Sequence, residues 1–104
     1  MELNEYQQLA KRTNIYPEDE FGLVCLALGV AGEAGEVADC MKKMYRDCED
    51  FCESTMYELG DVLWYVSQLA DRLGFSLEEV AEHNLNKLQS RQDRGVIGGS
   101  GDDR

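Results

Sequence analysis

Apolar side chains recur at alternating three- and four-residue steps through most of the chain, and no stretch alternates strictly between apolar and polar as a half-buried strand does. The pattern predicts an all-α protein. A short first helix runs from about Leu3 to Arg12, with Leu3, Tyr6, Leu9 and Ala10 on one face, and ends before Asn14 and Pro17. After the acidic Glu18-Asp19-Glu20, a second helix from about Phe21 to Arg46 carries Leu23, Leu26, Val30, Val37, Cys40 and Met44 along one seam, the spacing of a bundle helix. A third, from about Glu53 to Leu73, repeats the seam as Leu59, Val62, Val66, Leu69 and Leu73, and Gly74 stands where a left-handed C-terminal cap falls. Ser76 and Glu79 spell a capping box, flanked by Phe75 and Val80 as a hydrophobic staple, so a fourth helix starts at Leu77 and stops near Arg94, before Gly95. Residues Gly95 to Arg104 hold four glycines and read as a flexible, polar tail, either simply disordered or able to fold over phosphates once they arrive.

With 104 residues the chain makes one domain, spanning 1–104, and a chain this short buries only about two-thirds of its unfolded surface. The expected fold is therefore a four-helix bundle-type protomer, one short helix plus three longer ones, completed by oligomerisation into a homodimer or homotetramer. A hydrophobic fraction of 43% with 30% charged residues is globular composition. The net charge of −11 repels nucleic acid and anionic lipid, and makes cations the natural complement. The longest nearly apolar run, Phe21 to Gly32, falls short of the roughly 20 residues a bilayer crossing needs and reads as a buried helix. The N-terminal residues lack the basic and apolar regions of a secretory signal, which predicts a cytoplasmic protein. Cys25, Cys40, Cys48 and Cys52 show no C-x-x-C spacing and read as reduced thiols.

Four carboxylates break the apolar seams. Glu33 and Glu36 lie three residues apart on the second helix, as do Glu58 and Asp61 on the third, so each pair falls on one helix face. Glu33 is flanked by Val30 and Val37, and Glu58 shares a stripe with Val62, Tyr65 and Leu69. Burying unpaired carboxylates costs several kcal/mol each, and no lysine or arginine interrupts either seam nearby. Hard oxygen donors without imidazole or thiolate suit Mg²⁺ or Mn²⁺. A di-iron centre is disfavoured, because the single histidine, His83, has no glutamate three positions before it. Glycines at 29, 32, 35 and 60 crowd the same segments and fit close backbone approach or room for a ligand. E-x-x-E in an acidic helix also describes a plain solvated face, and spacing alone leaves both readings open.

Lys87, Arg91 and Arg94 make a cationic line along the fourth helix, with Asn84 one turn earlier on its apolar stripe. Such cations complement a helix C-terminus, yet four of the ten basic residues, counting Arg104, fall in the last eighteen positions of an acidic chain, which suggests a bound anion. Lys42, Lys43 and Arg46 read as helix-end solvation. Trp64 and Tyr65 follow the second acidic pair, as core aromatics or as cover for the site.

Gly32-Glu33-Ala34-Gly35-Glu36, followed by Glu58-Leu59-Gly60-Asp61-Val62-Leu63-Trp64-Tyr65, resembles the E-x-x-E…E-x-x-D signature of the MazG-like nucleoside triphosphate pyrophosphohydrolases, within the all-α NTP pyrophosphohydrolase superfamily. Tyr6-Gln7, Arg12-Thr13 and the closing Lys87, Arg91, Arg94-Gly95 and Gly99-Ser100-Gly101-Asp102 with Arg104 resemble the ends of short members. The resemblance implies Mg²⁺-dependent hydrolysis of an NTP or dNTP to the monophosphate and pyrophosphate, as nucleotide-pool control. It implies Glu33, Glu36, Glu58 and Asp61 as metal ligands; Glu33, deepest on its seam, is the candidate catalytic residue that orients water. Tyr65, Asn84, Lys87, Arg91, Arg94 and Arg104 are the corresponding substrate-binding candidates. The alternatives are a non-catalytic helical interaction protein of the same fold, or a relative acting on dUTP or phosphoribosyl-ATP.

Overall fold

The computed structural model describes residues 1–49 and 53–104. Among the described residues there are four helices and no strand: α1 (Leu3–Lys11), α2 (Glu20–Arg46), α3 (Glu53–Arg72) and α4 (Leu77–Asp93). Each boundary lies within two residues of its sequence expectation, and capping chemistry marks the starts of α2 and α4 and the end of α3. Asp19 accepts a hydrogen bond from the Gly22 amide at 2.9 Å to open α2. Ser76 Oγ accepts from the Glu79 amide at 3.1 Å while the Glu79 carboxylate accepts from the Ser76 amide at 3.0 Å, a complete capping box. Gly74 closes α3 at φ +84°, a conformation that favours glycine.

α2 and α3 pair along their length, α1 packs against α3 and α4, and α4 meets α3 but does not reach α2. A polar clamp fixes α1. The Gln7 side chain, 2% exposed, donates to the Ser67 and Phe75 carbonyls at 3.0 Å each and accepts from the Leu77 amide at 3.0 Å. Gln68 answers by donating to the Gln7 carbonyl at 3.1 Å and accepting from Asn14 at 3.2 Å. Trp64 Nε1 donates to the Ala10 carbonyl and the Thr13 hydroxyl at 3.2 and 2.8 Å, so this aromatic anchors α1 rather than covering the carboxylates. The buried face of α1 is thus Gln7 and Ala10, while Leu3 and Leu9, expected inside, are exposed.

The seam of α2 is at least half-buried throughout, as the periodicity predicts. The expectation of a buried α2 is corrected: only Gly22 and Leu26 are fully buried, because α3 is the one helix that covers it. By length and composition α2 is long and apolar enough to cross a membrane, with a mean hydropathy of 1.5 over its most apolar window. On α3 the expected seam holds at Val62, Val66 and Leu69 and fails at its two ends. Leu59 and Leu73 are 53% and 50% exposed, and Thr55, Glu58 and Tyr65 turn inward beside the retained positions. The chain is open for its size. Its radius of gyration is 16.3 Å, against about 13 Å for a compact chain of this length. Its accessible surface is 7511 Å², against about 5,900 Å² for a compact monomer.

The tail, expected to be free, folds back on α4 through arginine contacts: Arg94 donates to the Arg104 carbonyl at 2.6 Å, and Arg104 to the Val96 carbonyl at 3.1 Å. Cys25, Cys40 and Cys48 are free thiols, in keeping with their reading, while Cys52 lies outside the described residues.

Candidate metal centre

The pairing of α2 with α3 sets Glu33 opposite Glu58 and Asp61. Carboxylate oxygens of these three residues all lie within 4.8 Å of one another, with Glu33 and Glu58 half-buried and Asp61 exposed. Such a group repels itself unless something positive or a proton intervenes. The strain shows on Glu33, whose pKa is raised above the ordinary carboxylate range, first by burial, then by the charges of Asp61, Glu58 and Glu36 and by a hydrogen bond shared with Glu58. Three convergent carboxylates supply only hard oxygen donors, the set that suits magnesium or manganese.

Glu36, expected as a fourth ligand, is exposed and stands outside the trio, though close enough for its charge to act on Glu33. Of the glycines near the site, only Gly29 makes a close approach. A Cβ there would run into the ring of Tyr65, whereas Gly32, Gly35 and Gly60 face open space. Bare backbone at 29 therefore lets Tyr65 lie flat across α2 beside the carboxylates. Tyr65 stacks edge-on against Trp64 at 4.9 Å and shares a 3.0 Å hydrogen bond with the hydroxyl of Tyr16. Its pKa is pushed up to about 12, first by that hydrogen bond, then by burial and by the charges of Tyr16, Glu33 and Asp61, so its phenol stays protonated at neutral pH.

Tyr16 went unnoticed in the sequence because it lies in a loop outside every periodic segment. Its fixing is elaborate. Arg72 donates to the Tyr16 and Pro17 carbonyls at 2.7 Å each, and Asn14 Oδ1 accepts from the Tyr16 amide at 3.1 Å.

The remaining substrate-binding candidates lie on α4 and the tail. Asn84 and Lys87 line an open groove of about 840 Å³ together with Phe75, Glu79, Val80 and His83. Arg91 is 4% exposed and bonded to the tail, while Arg94 is exposed and bonds Ser90 at 3.2 Å. Among the described residues no hydrogen bond or ion pair joins these cations to Glu33, Glu58 or Asp61. Lys42 and Lys43 are absorbed by Asp39 at 3.0 and 2.8 Å, which holds that carboxyl down to about 2 and bears out a helix-end role for this cluster.

Comparison with known proteins converges on the same segments. Residues 22–96, which hold all four acidic positions and the whole of α4, match the family model of the MazG nucleotide pyrophosphohydrolase domain. The chain is 46% identical over 114 aligned residues to the Gene 37 protein of Mycobacterium phage L5, with the whole of both chains covered. No solved structure matches.

Proposed function

Because the chain belongs to the MazG nucleotide pyrophosphohydrolase domain family, we propose that it hydrolyses a nucleoside or deoxynucleoside triphosphate to the monophosphate and pyrophosphate. The observation that carries this reading is the convergence of Glu33, Glu58 and Asp61 from two helices onto one point. Those three residues, with Glu36 beside them, would hold Mg²⁺, or Mn²⁺ in its place. When bound, the ion neutralises phosphate oxygens and lowers the barrier to attack at phosphorus.

Glu33 is the proposed catalytic residue. Its carboxylate orients a water whose oxygen bonds to the α-phosphorus, and it takes up the water's proton as the bond to the β-phosphate breaks and pyrophosphate leaves with the electron pair. Tyr65, kept neutral, is a hydroxyl donor or stacking surface at the edge of the site. Asn84, Lys87, Arg91 and Arg94 form the anion-facing set that offsets charge on pyrophosphate, while Arg104 donates to the Val96 carbonyl within the tail.

The substrate is a small anion that brings its own cation, since a chain of net charge −11 repels nucleic acid and anionic membranes. A cytoplasmic nucleotide pool fits that substrate. Phe21, Val24 and Leu28 on α2 and Leu59 and Leu63 on α3 are at least 41% exposed, and with the excess surface they favour a homodimer or homotetramer in which another copy covers this face. Release of pyrophosphate from a panel of NTPs and dNTPs, dUTP included, tests the activity. Pyrophosphate that appears only with Mg²⁺ or Mn²⁺ supports it. No release across the panel would leave the non-catalytic interaction protein as the reading. A monomer mass by light scattering at micromolar concentration would remove the oligomer.

A further inference from the structure

Arg91 is anomalous on its helix. The C-terminal half of α4 is otherwise exposed, yet this guanidinium is 4% exposed, and what covers it is the chain's own tail. One nitrogen, Nη2, donates to three acceptors there: the Gly101 carbonyl at 3.4 Å, the Asp102 carbonyl at 3.1 Å and Asp102 Oδ1 at 3.3 Å. Nε is buried with no partner. A planar fork built to grip an oxyanion with two parallel bonds is therefore half used. Lys87, one turn earlier, points its Nζ at the same Asp102 oxygen from 3.6 Å. The Asp102 carboxyl is held below its ordinary range by Arg91 and Lys87, so it is a full negative charge there.

From this we infer that Lys87 and Arg91 form an oxyanion site that Asp102 occupies in the free chain, and that a phosphate group of the ligand enters by displacing the tail. The inference rests on the reading of α4 as the phosphate-facing helix and adds a competitor to it. The exchange is chemically favourable. A carboxylate brings one charge and two oxygens to this site, whereas a phosphate brings up to two charges and three oxygens and can engage the idle Nε. The tail is held by the polar contacts of Arg91, Arg94 and Arg104, and the Asp102 side chain is 90% exposed, so it meets solvent on leaving without crossing a packed layer.

The test uses the full-length chain, inorganic pyrophosphate as probe and EDTA throughout, so that neither turnover nor the carboxylate site contributes. Titration calorimetry compares the unaltered chain with Asp102→Asn and Lys87→Ala, both at exposed positions. Asp102→Asn is expected to bind pyrophosphate about tenfold more tightly and Lys87→Ala about tenfold more weakly, the scale of one charge-assisted hydrogen bond. Pyrophosphate at saturation should also speed amide exchange across residues 98–104 of the unaltered chain. The inference is overturned if Asp102→Asn binds no more tightly, if Lys87→Ala keeps full affinity, if tail exchange does not change, or if pyrophosphate binds none of the three. Tighter binding by Asp102→Asn in a chain that hydrolyses no nucleotide would instead retain this site and discard the enzymatic reading.

Discussion

Glu33→Gln should make the metal-free protein more stable and abolish most of the stabilisation that magnesium gives the native chain. Two unit charges 4.8 Å apart repel by about 1 kcal/mol in water and by about 3.5 kcal/mol at an effective dielectric constant near 20. Glu33 and Glu58 are half-buried while Asp61 is exposed, so solvent screening places each pair near the lower figure. Removing one charge without changing side-chain size therefore raises stability by about 1–2 kcal/mol at low salt, or roughly 4–12 °C in melting temperature for a domain of this size. In 10 mM Mg²⁺ the native chain should gain about 1.4 kcal/mol if its dissociation constant is near 1 mM, and the variant should gain little. Thermal melts at pH 8 and fixed protein concentration, in EDTA and in Mg²⁺, read both effects. The pH dependence has a definite sign. A carboxyl whose folded pKa is raised binds its proton more tightly when folded, so its destabilisation is full above the folded pKa and fades as pH falls towards the unfolded value. Acidification from pH 8 should therefore narrow the gap between the variant and the native chain in EDTA. A variant less stable than the native protein in EDTA, or one that keeps its full magnesium shift, would refute the picture of mutually repelling ligands.

Gln7→Ala removes the partner of the Ser67 and Phe75 carbonyls and of the Leu77 amide, and should cost about 2–4 kcal/mol in denaturant unfolding, far more than a surface glutamine would. The alkaline limb of stability belongs to Tyr65. Its folded pKa of about 12 lies above the ordinary tyrosine value of 10.0, so stability falls as pH rises from that value to about 12. Absorbance titration at alkaline pH should show Tyr65 titrating late, with Tyr6 also shifted up by burial and by the charge of Asp61, and Tyr16→Phe should bring Tyr65 back towards the others; an unchanged late transition would disconnect the two hydroxyls.

Helix order is legible from the apolar periodicity, and several ends from local chemistry, the Ser76–Glu79 box and Gly74 above all. The acidic pairs were legible as interruptions of apolar seams, but spacing overstated how they converge. Residues i and i+3 differ by about 60° around a helix, so when Glu33 faces α3 its neighbour Glu36 is turned away. The same geometry explains α3, where Glu58 is half-buried and Asp61 exposed. Leu59 reads as seam because Val62 and Leu69 belong to two overlapping stripes, and only packing against α2 chooses between them. The glutamine clamp was invisible for a different reason. Gln7 and Gln68 are ordinary helix-surface residues by type, and their burial depends on carbonyls more than sixty positions away in the chain. Arg91 was read as free to meet a ligand, since nothing in the tail's composition foretells that it folds back to cover a guanidinium.

The nine-residue α1 acts as a strut between two arms, one bearing the acids and the other the bases. From Leu77 to Arg91 the second arm projects about 21 Å, so a lean of roughly 5° at its foot swings the far end by about 2 Å. The distance between opposite charges, and with it the length of ligand that can bridge them, is thus adjustable from the hub. Divergence in a few side chains around Gln7 offers a way to retune reach while every acid and every base stays as it is.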